Sequence, residues 1–402
     1  MEKSRFTKSD VNRSAILAQL GISGAANRTQ LAKALQLSPA LVTQLTKTLI
    51  QDGLIHESRI QIASGGRPAT LLDLSTDAGH AIGIKVVADH LTFVEMKVDG
   101  TVERTKTVNF DPSAASILEN LAEETRTFIG EMGKSDILGV GVAVPGAVFD
   151  SEVGEVNSIT LGWQGMPIGS TLSQSLGLPV IVENNVNAVA IAEHLYGSAK
   201  KYSNFLLVTL GTGIGLSIVL DGTLFRGSRG AAGELGHVQI VDDGPTCTCG
   251  KTGCLEAVIG QHALEARAVN EGLIGPGGSI SDLATKARQG DAQALEIFGS
   301  AATKLATAVS HLANIFDPDA FVILGEGIQD WDLWSEAFLG TLRSKSLPGV
   351  RAVPVVIENW TDISWAQGAA SLVLSTSLSA HSNFGKQATR IRRRLVSTGG
   401  QD

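Results

Sequence analysis

The chain has 402 residues, of which 43% are hydrophobic and 18% charged, so it has enough apolar material for sizeable cores and is not intrinsically disordered. Its net charge of −8 excludes a uniformly basic surface for binding nucleic acid. The charge is uneven: residues 1–75 contain 9 basic and 5 acidic side chains, residues 76–379 contain 18 and 34, and residues 380–402 contain 5 and 1. This asymmetry predicts one end that meets a polyanion and a body that does not.

The cysteines and the N-terminus predict a cytoplasmic location. All three cysteines lie between residues 247 and 254, unlike the even, widely spaced set of a secreted disulfide framework. The N-terminal segment MEKSRFTKSD is charged and has no apolar core of a signal peptide. The sequence contains no run of about 18 apolar residues, the length that a membrane-spanning helix needs. We therefore expect no contact with a membrane.

The N-terminal region predicts a small helical module. Residues 10–56 contain three helical patterns, at about 12–20, 28–35 and 38–51, and no strand before Leu54. The second and third patterns are separated by a short turn at residues 36–37, which is typical of a helix-turn-helix.

The third predicted helix has a clear start, because Ser38 can cap it and Pro39 takes the first helical position. Leu41, Leu45 and Leu49 form an apolar stripe on one face. The opposite face is small, polar or basic, which suits a helix in a DNA major groove. The predicted DNA-contacting residues of this helix are Ser38, Pro39, Ala40, Thr43, Gln44, Lys47 and Thr48.

A basic wing is predicted directly after this helix. Residues 54–62 and 70–74 can form a hairpin with residues 64–68 at its tip. Arg59 and Arg67 on this wing would reach phosphate or a minor groove. The alternative is a three-helix bundle that docks on the body or mediates dimerisation; the capped third helix, the polar face and the basic wing favour DNA binding.

The middle of the chain predicts an α/β body at about residues 76–378. Short apolar runs that end in glycine are typical of buried parallel strands and alternate with long helical patterns. The apolar runs are 137–146, 205–215 and 321–327, and the helical patterns are 113–132, 188–196 and 292–315. Residues 379–402 have little to bury and predict a flexible basic tail. We interpret its RIRRR run at 390–394 as a solvated charge cluster, with a nucleic-acid contact as the alternative.

Three cysteines in a glycine-rich loop predict a metal site. Cys247, Cys249 and Cys254 lie within eight residues, and tetrahedral zinc needs four soft or borderline ligands. His237, ten residues before Cys247, is the best fourth ligand, and His262 is the second choice. The alternative is three free cytosolic thiols. Because protein would fill all four positions, we expect a structural zinc ion, one per chain.

Polar residues near this loop predict a polyol pocket. The zinc loop would present Glu234, His237 and Glu256, and Asn184 and Asn185 would join them. Carboxylates and amides form paired hydrogen bonds to vicinal hydroxyls. The alternative is that both glutamates are ordinary surface carboxylates.

At these motifs the sequence resembles the ROK family, which contains bacterial sugar kinases and sugar-responsive transcriptional repressors. The specific stretches are the glycine loop at 210–215, Gly-Glu-Leu-Gly-His at 233–237 and Cys-x-Cys-Gly-x-x-Gly-Cys-Leu-Glu at 247–256. Weaker support comes from Val144-Pro145-Gly146, Asn157 with Trp163, residues 183–188, and Asn314 with Pro318. The resemblance covers residues 10–378, and the repressor branch of the family has a winged helix-turn-helix in front, as here.

The resemblance implies a winged helix-turn-helix at residues 1–75 and an actin/hexokinase-like (ribonuclease H-like) α/β body at 76–378. The body would have a first lobe at about 76–195 plus 363–378 and a second at about 196–362, with sugar in the cleft. The resemblance implies zinc on His237, Cys247, Cys249 and Cys254. The implied sugar-binding residues are Gly146, Asn157, Asn184, Asn185, Glu234, His237 and Glu256.

Two departures from the family's kinases predict that the chain is not an enzyme. Kinases of the family have a DxGGT phosphate loop, whereas here Lys85 replaces the acid, and Val87 and Ala88 replace the glycines. Their catalytic base is an aspartate, and Asn185 stands at that place. An amide cannot accept the proton of a sugar hydroxyl, and Cβ atoms stand where backbone N–H groups would cradle phosphate.

The sequence therefore predicts a sugar-responsive transcriptional regulator, a repressor of carbohydrate uptake or catabolism genes. It would bind a palindromic double-stranded DNA operator as a homodimer or tetramer. A small sugar or sugar phosphate would alter operator affinity. The alternatives are an ATP-dependent sugar kinase with an attached DNA-binding domain, and a regulator controlled by a protein partner.

Overall fold

The computed structural model describes residues 7–61, 69–131, 136–359, 361–377 and 385–397. The chain forms two compact units. The first comprises Met1–Tyr196 and Asp362–Asp402, and the second comprises Gly197–Thr361. The chain thus crosses between the units twice, after Tyr196 and after Thr361.

The first unit begins with the predicted helical module. Its elements are α1 (Lys8–Ser23), β1 (Ala26–Asn27), α2 (Arg28–Leu35), α3 (Pro39–Gln51), β2 (Ile55–Gln61) and β3 (Ala69–Leu74). The three predicted helices and the predicted antiparallel hairpin are confirmed. The expectation of no strand before Leu54 is wrong, because β1 pairs with β3 and completes a three-stranded sheet in the order β1-β3-β2. The predicted wing tip at residues 64–68 lies outside the described residues.

Local capping explains where α2 and α3 begin. Asn27 and Gln30 exchange hydrogen bonds at the start of α2, with Gln30 N donating to Asn27 Oδ1 at 2.9 Å. Ser38 Oγ accepts from Leu41 N at the start of α3, as predicted. Leu45 and Leu49 of α3 are buried, so α3 packs into the module by its apolar stripe.

The rest of the first unit before the crossing is an α/β lobe. Its five-stranded sheet has the order β11-β7-β4-β5-β6. Strands β4, β5 and β6 are antiparallel, and β7 and β11 run parallel to β4, which is the ribonuclease H-like pattern. The elements are β4 (His80–Val86), β5 (His90–Lys97), β6 (Val102–Asn109), α4 (Ile117–Gly130), β7 (Ile137–Val144), β8 (Ala147–Val148), β9 (Glu155–Ser158), β10 (Trp163–Pro167), α5 (Ile168–Leu176), β11 (Val180–Asn184) and α6 (Asn185–Leu195).

The second unit repeats this sheet pattern in the order β14-β13-β12-β15-β16. Strand β13 is antiparallel to β12, and β15 is parallel to it. The elements are β12 (Phe205–Leu210), β13 (Ile214–Leu220), β14 (Thr223–Leu224), α7 (Leu255–Ile259), α8 (Gln261–Asn270), α9 (Ile280–Arg288), α10 (Ala292–Phe316), β15 (Ala320–Leu324), α11 (Trp331–Lys345) and β16 (Val355–Ile357). Two such lobes confirm the predicted actin/hexokinase-like body.

After the second crossing, helix α12 (Asp362–Ser377) packs on the sheet of the first unit. Two glycines allow this close approach. A Cβ atom on Gly83 would lie 2.1 Å from the Ala366 carbonyl oxygen, and one on Gly141 would lie 1.8 Å from the Ala369 carbonyl oxygen. Glycine is therefore required where β4 and β7 meet the helix.

The predicted flexible tail is wrong for residues 386–397, which form helix α13 (Lys386–Ser397). Ile391 and Leu395 are almost completely buried. The RIRRR run is not simply solvated, because Arg392 Nε donates to the Thr376 carbonyl at 3.0 Å and Arg394 Nε to the Ile137 carbonyl at 2.6 Å. Two apolar residues one turn apart, together with these carbonyl acceptors, give the segment a surface to pack on.

Helix α13 connects the N-terminal module with the lobe. One hydrophobic cluster contains Leu17 and Leu20 of α1, Leu138 of β7, and Ile391 and Leu395 of α13. The module therefore shares a core with the lobe. Within the described part of the chain, no helix is long and apolar enough to cross a membrane.

Candidate functional site

Four predicted metal ligands come together in the second unit. His237 Nδ1 lies 3.4 Å from Cys247 Sγ, and Cys249 Sγ lies 3.7 Å from Cys254 Sγ. The ligand atoms of all four residues lie within 4.8 Å of one another. His262, the second choice, lies outside this group and pairs with Glu265.

The loop that presents the cysteines is held by its own backbone. Cys247 N donates to the Lys251 carbonyl at 2.7 Å, and Gly250 N donates to the Cys247 carbonyl at 2.9 Å. Gly253 has a φ of 69°, and a Cβ atom there would lie 1.7 Å from the Val241 carbonyl oxygen. This turn therefore requires glycine immediately before Cys254.

The donor set fits a metal ion. A backbone hydrogen bond from Lys251 lowers the pKa of Cys249. Burial raises the pKa of Cys254 to about 11, so this thiol would stay protonated without a cation beside it. Three sulfurs and one imidazole nitrogen at these distances match a closed tetrahedral site.

The other ring nitrogen of His237 faces a carboxylate. His237 Nε2 lies 3.9 Å from Glu234 Oε2. Burial raises the pKa of Glu234, His237 lowers it and Glu256 raises it, with a net upward shift. Glu256 Oε2 accepts a hydrogen bond from Ile214 N at 3.0 Å. Glu234, His237 and Glu256 therefore form one polar group beside the metal ligands.

The predicted polar residues of the first unit lie where β7 and β11 end. Asn184 caps α6, with its Oδ1 accepting from Val186 N at 2.8 Å and its Nδ2 donating to the Gly146 carbonyl at 2.9 Å. Gly146 has a φ of 113°, and a Cβ atom there would lie 2.3 Å from the Asn157 carbonyl oxygen. Asn185 Oδ1 also accepts from Val186 N, at 3.0 Å. The structure thus brings these four residues together, with part of each amide already used in local bonds.

Lys85, predicted as a departure from a phosphate loop, is buried and forms an ion pair with the exposed Asp362. Its Nζ donates to Asp362 Oδ1 at 2.5 Å, and His90 Nε2 lies 3.0 Å from Asp362 Oδ2. The sequence analysis missed Asp362 and His90. Asp362 is 277 residues from Lys85, so no local spacing signals the contact.

Two carboxylates from other elements lie beside the glycine loop between β12 and β13. Glu256 binds the backbone at Ile214, as described above. Glu326 Oε2 lies 2.3 Å from the position that a Cβ atom on Gly211 would take. Glu326 was not predicted, since it follows a different strand.

The predicted DNA-contacting face of α3 is exposed. Ala40, Thr43, Gln44 and Lys47 are exposed, as are Ser38 and Pro39 at its start, while Thr48 is half-buried. The Thr43 and Thr48 hydroxyls donate to backbone carbonyls of their own helix, at 2.8 and 3.2 Å. Arg59 lies on β2, and Arg67 lies outside the described residues.

Comparison with known proteins shows the class of this chain. Residues 81–376 match the ROK family, and residues 11–61 match the MarR family. The chain belongs to the ROK family and has an N-terminal winged helix of the MarR type, a DNA-binding domain.

The chain is also similar to curated relatives and to solved structures. The chain is 31% identical over 338 residues to the xylose repressor of Caldicellulosiruptor bescii, covering 79% of this chain and 82% of that one. It is 27% identical over 376 residues to the DNA-binding transcriptional dual regulator NagC of Escherichia coli K12, covering 90% and 92%. A crystal structure of a ROK family transcriptional regulator, a homologue of E. coli Mlc, matches with a TM-score of 0.82 at 26% identity, covering 97% and 99%. A ROK glucokinase from Streptomyces griseus, in complex with glucose and AMPPNP, matches with a TM-score of 0.62 at 28% identity, covering 73% and 99%.

Proposed function

We propose that this protein is a sugar-responsive transcriptional repressor of carbohydrate genes without kinase activity. One observation carries the proposal: a MarR-type winged helix with an exposed polar face on α3 is fused to a ROK body. The relatives named xylose repressor and NagC support it. Because the target is chromosomal DNA, the proposal places the chain in the cytoplasm.

In this proposal, the exposed face of α3 lies in the major groove of the operator DNA. Gln44 would contact base edges and Lys47 a phosphate, with Arg59 and Arg67 on the wing. Two copies of the chain would place two α3 helices on the half-sites of a palindrome.

Replacement of Gln44 by alanine is expected to weaken binding to the specific operator by about 1–3 kcal/mol, because one base-edge contact is lost. Lys47→Ala is expected to weaken binding to all sequences and to reduce the salt slope by about 1. Fluorescence titrations with operator and scrambled duplexes measure both effects. The matched control is Lys200→Ala, an exposed lysine of the second unit. Unchanged operator affinity for Gln44→Ala would show that α3 is not the reading helix.

The proposal assigns sugar binding to a set of polar residues in each of the two units. Glu234, His237 and Glu256 of the second unit offer charged acceptors and an imidazole, and Asn184 and Asn185 of the first unit offer amides. Gly146 and Asn157 complete the proposed set. So many hydrogen-bonding groups of these types suit the hydroxyls of a sugar or sugar phosphate.

Glu234→Ala is expected to keep operator affinity but to abolish the response to sugars, because a carboxylate partner for hydroxyls is lost. The measurement is operator titration with and without a mixture of D-xylose, D-glucose and N-acetylglucosamine. Glu336→Ala, on the exposed side of α11, is the matched control. A normal sugar response in Glu234→Ala would refute the assignment of Glu234 to sugar binding.

The proposal assigns one structural Zn²⁺ ion to His237, Cys247, Cys249 and Cys254. Zinc is the ion that prefers a tetrahedral set of three thiolates and one imidazole. When bound, it would fix the loop on which His237 and Glu256 lie. Because the protein would supply all four ligands, the ion would have a structural role.

Three features of the chain support the proposed absence of kinase activity. By the resemblance to the family's kinases, Asn185 stands where they have a catalytic aspartate. Lys85, which replaces the acid of their phosphate loop, is paired with Asp362. Glu326 adds a carboxylate beside Gly211 of the glycine loop at residues 210–215. The likeness to the S. griseus glucokinase reflects the body they share.

A further inference from the structure

The return crossing from the second unit is held by an ion pair network. Asp362 is both the first residue of α12 and the first residue after the crossing. Both of its carboxylate oxygens are bound: Oδ1 by Lys85 Nζ at 2.5 Å and Oδ2 by His90 Nε2 at 3.0 Å. Lys85 lies at the end of β4 and His90 at the start of β5, so the turn between these strands holds the crossing.

The network is partly buried, and reduced exposure to water strengthens the electrostatic attraction between its charges. Only 8% of the Lys85 side chain is exposed, and its ammonium lies 5.6 Å from the centre of the Trp365 ring. Burial alone would raise the pKa of Asp362, but the hydrogen bonds and charges of Lys85 and His90 outweigh it and hold this pKa below its usual range. His90 Nδ1 is in turn 2.8 Å from Asp89 Oδ1, which fixes the ring. Removal of Asp362 would leave the charge of Lys85 buried without a partner.

The first crossing, which leads from the first unit to the second after Tyr196, is held near the C-terminal end of β5. Tyr196 is the last residue of the first unit before the crossing, and its hydroxyl donates to the Val98 carbonyl at 3.0 Å. Its ring packs on Gly100, where φ is 89° and a Cβ atom would lie 2.9 Å from the ring. Both crossings are thus anchored next to the two ends of β5 (His90–Lys97).

We propose that Lys85, His90 and Asp362 form a latch that fixes the return crossing on the first unit and sets how strongly sugar binding is coupled to operator release. The inference rests on the proposed function. A ligand changes operator affinity only through the difference between its affinities for two arrangements of the protein. If the crossing is rigid, the two arrangements are distinct and the sugar can bind them with different affinities. If the crossing is loose, we expect this difference in affinity to become smaller. Asp362 is therefore a positioning residue that acts through the crossing.

The latch is tested first without any sugar, by hydrogen exchange of the full chain. Lys85→Met and Asp362→Asn are expected to speed amide exchange in the first two turns of α12 at least ~10-fold. Lys85→Arg, which keeps the charge, is expected to restore slow exchange. The matched control is Lys106→Met. Lys106 lies on β6 of the same sheet, and its replacement removes an ion pair with Glu131 near the surface. Exchange that is unchanged in both Lys85→Met and Asp362→Asn overturns the latch.

The coupling is tested by operator titration with and without the sugar mixture given above. Both variants are expected to bind the sugar-free operator within about threefold of wild type, while the ratio of the two operator affinities falls at least ~10-fold. Rapid exchange with an unchanged ratio overturns the coupling part of the inference. If the wild type itself does not respond to sugars, the proposed function fails, while the exchange result still decides whether the latch exists.

Discussion

Replacing Cys254 by serine is expected to lower the zinc content from one ion per chain to below about 0.1. Cys254 is fully buried, and its Sγ lies 3.7 Å from that of Cys249, so a hydroxyl in its place leaves the tetrahedral set incomplete. Helix α7 begins at the next residue, and Glu256 lies in its first turn. The sugar response is therefore expected to disappear, while the winged helix still binds the operator.

Metal analysis after dialysis and operator titration with the sugar mixture measure these two effects of Cys254→Ser. Thr248→Ser is the control, because it changes the same loop but none of the four ligands. A full zinc content in Cys254→Ser would show that the ion is not held by this group. A normal sugar response in the zinc-free variant would show that the loop does not shape the effector site.

Leu395→Ala in α13 is expected to lower the free energy of unfolding by about 2–5 kcal/mol, with a similar loss for Ile391→Ala. Both side chains are buried in the cluster that joins the N-terminal module to the lobe. Arg13 of α1 adds to this junction, since it pairs with Asp52 and donates to the Val396 carbonyl at 3.4 Å.

Denaturant unfolding of the full chain measures this loss. Arg393→Ala is the control on the same helix, because Arg393 is exposed, and its effect is expected to stay within about 0.5 kcal/mol. If Leu395→Ala is as stable as this control, α13 does not hold the module on the lobe.

Features with a local signal could be predicted from the sequence. The start of α3 follows from Ser38 and Pro39, and the structure confirms the Ser38 cap. The grouping of the cysteines with His237 follows from short spacings around glycines, and the structure brings all four residues together. The buried strands β7 and β15 follow from continuous apolar runs.

Features that depend on distant contacts could not be predicted. Helix α13 has few apolar residues in a run of arginines. Arg394 donates to the carbonyl of Ile137, which is 257 residues away, and Arg392 donates to the carbonyl of Thr376 in the preceding helix. Strand β1 has two residues, too few for a hydropathy pattern. The contact of Lys85 with Asp362 exists only once α12 has docked on β4.

The most direct test of the central claim is selection of genomic DNA fragments by the purified full chain, with and without a sugar mixture. The account predicts enrichment of one palindromic site, released when sugars are added, with carbohydrate genes beside it. If no fragment is enriched under either condition at low salt, the N-terminal module does not read DNA as proposed. A site that is enriched but insensitive to every sugar would contradict control by a sugar in the ROK body.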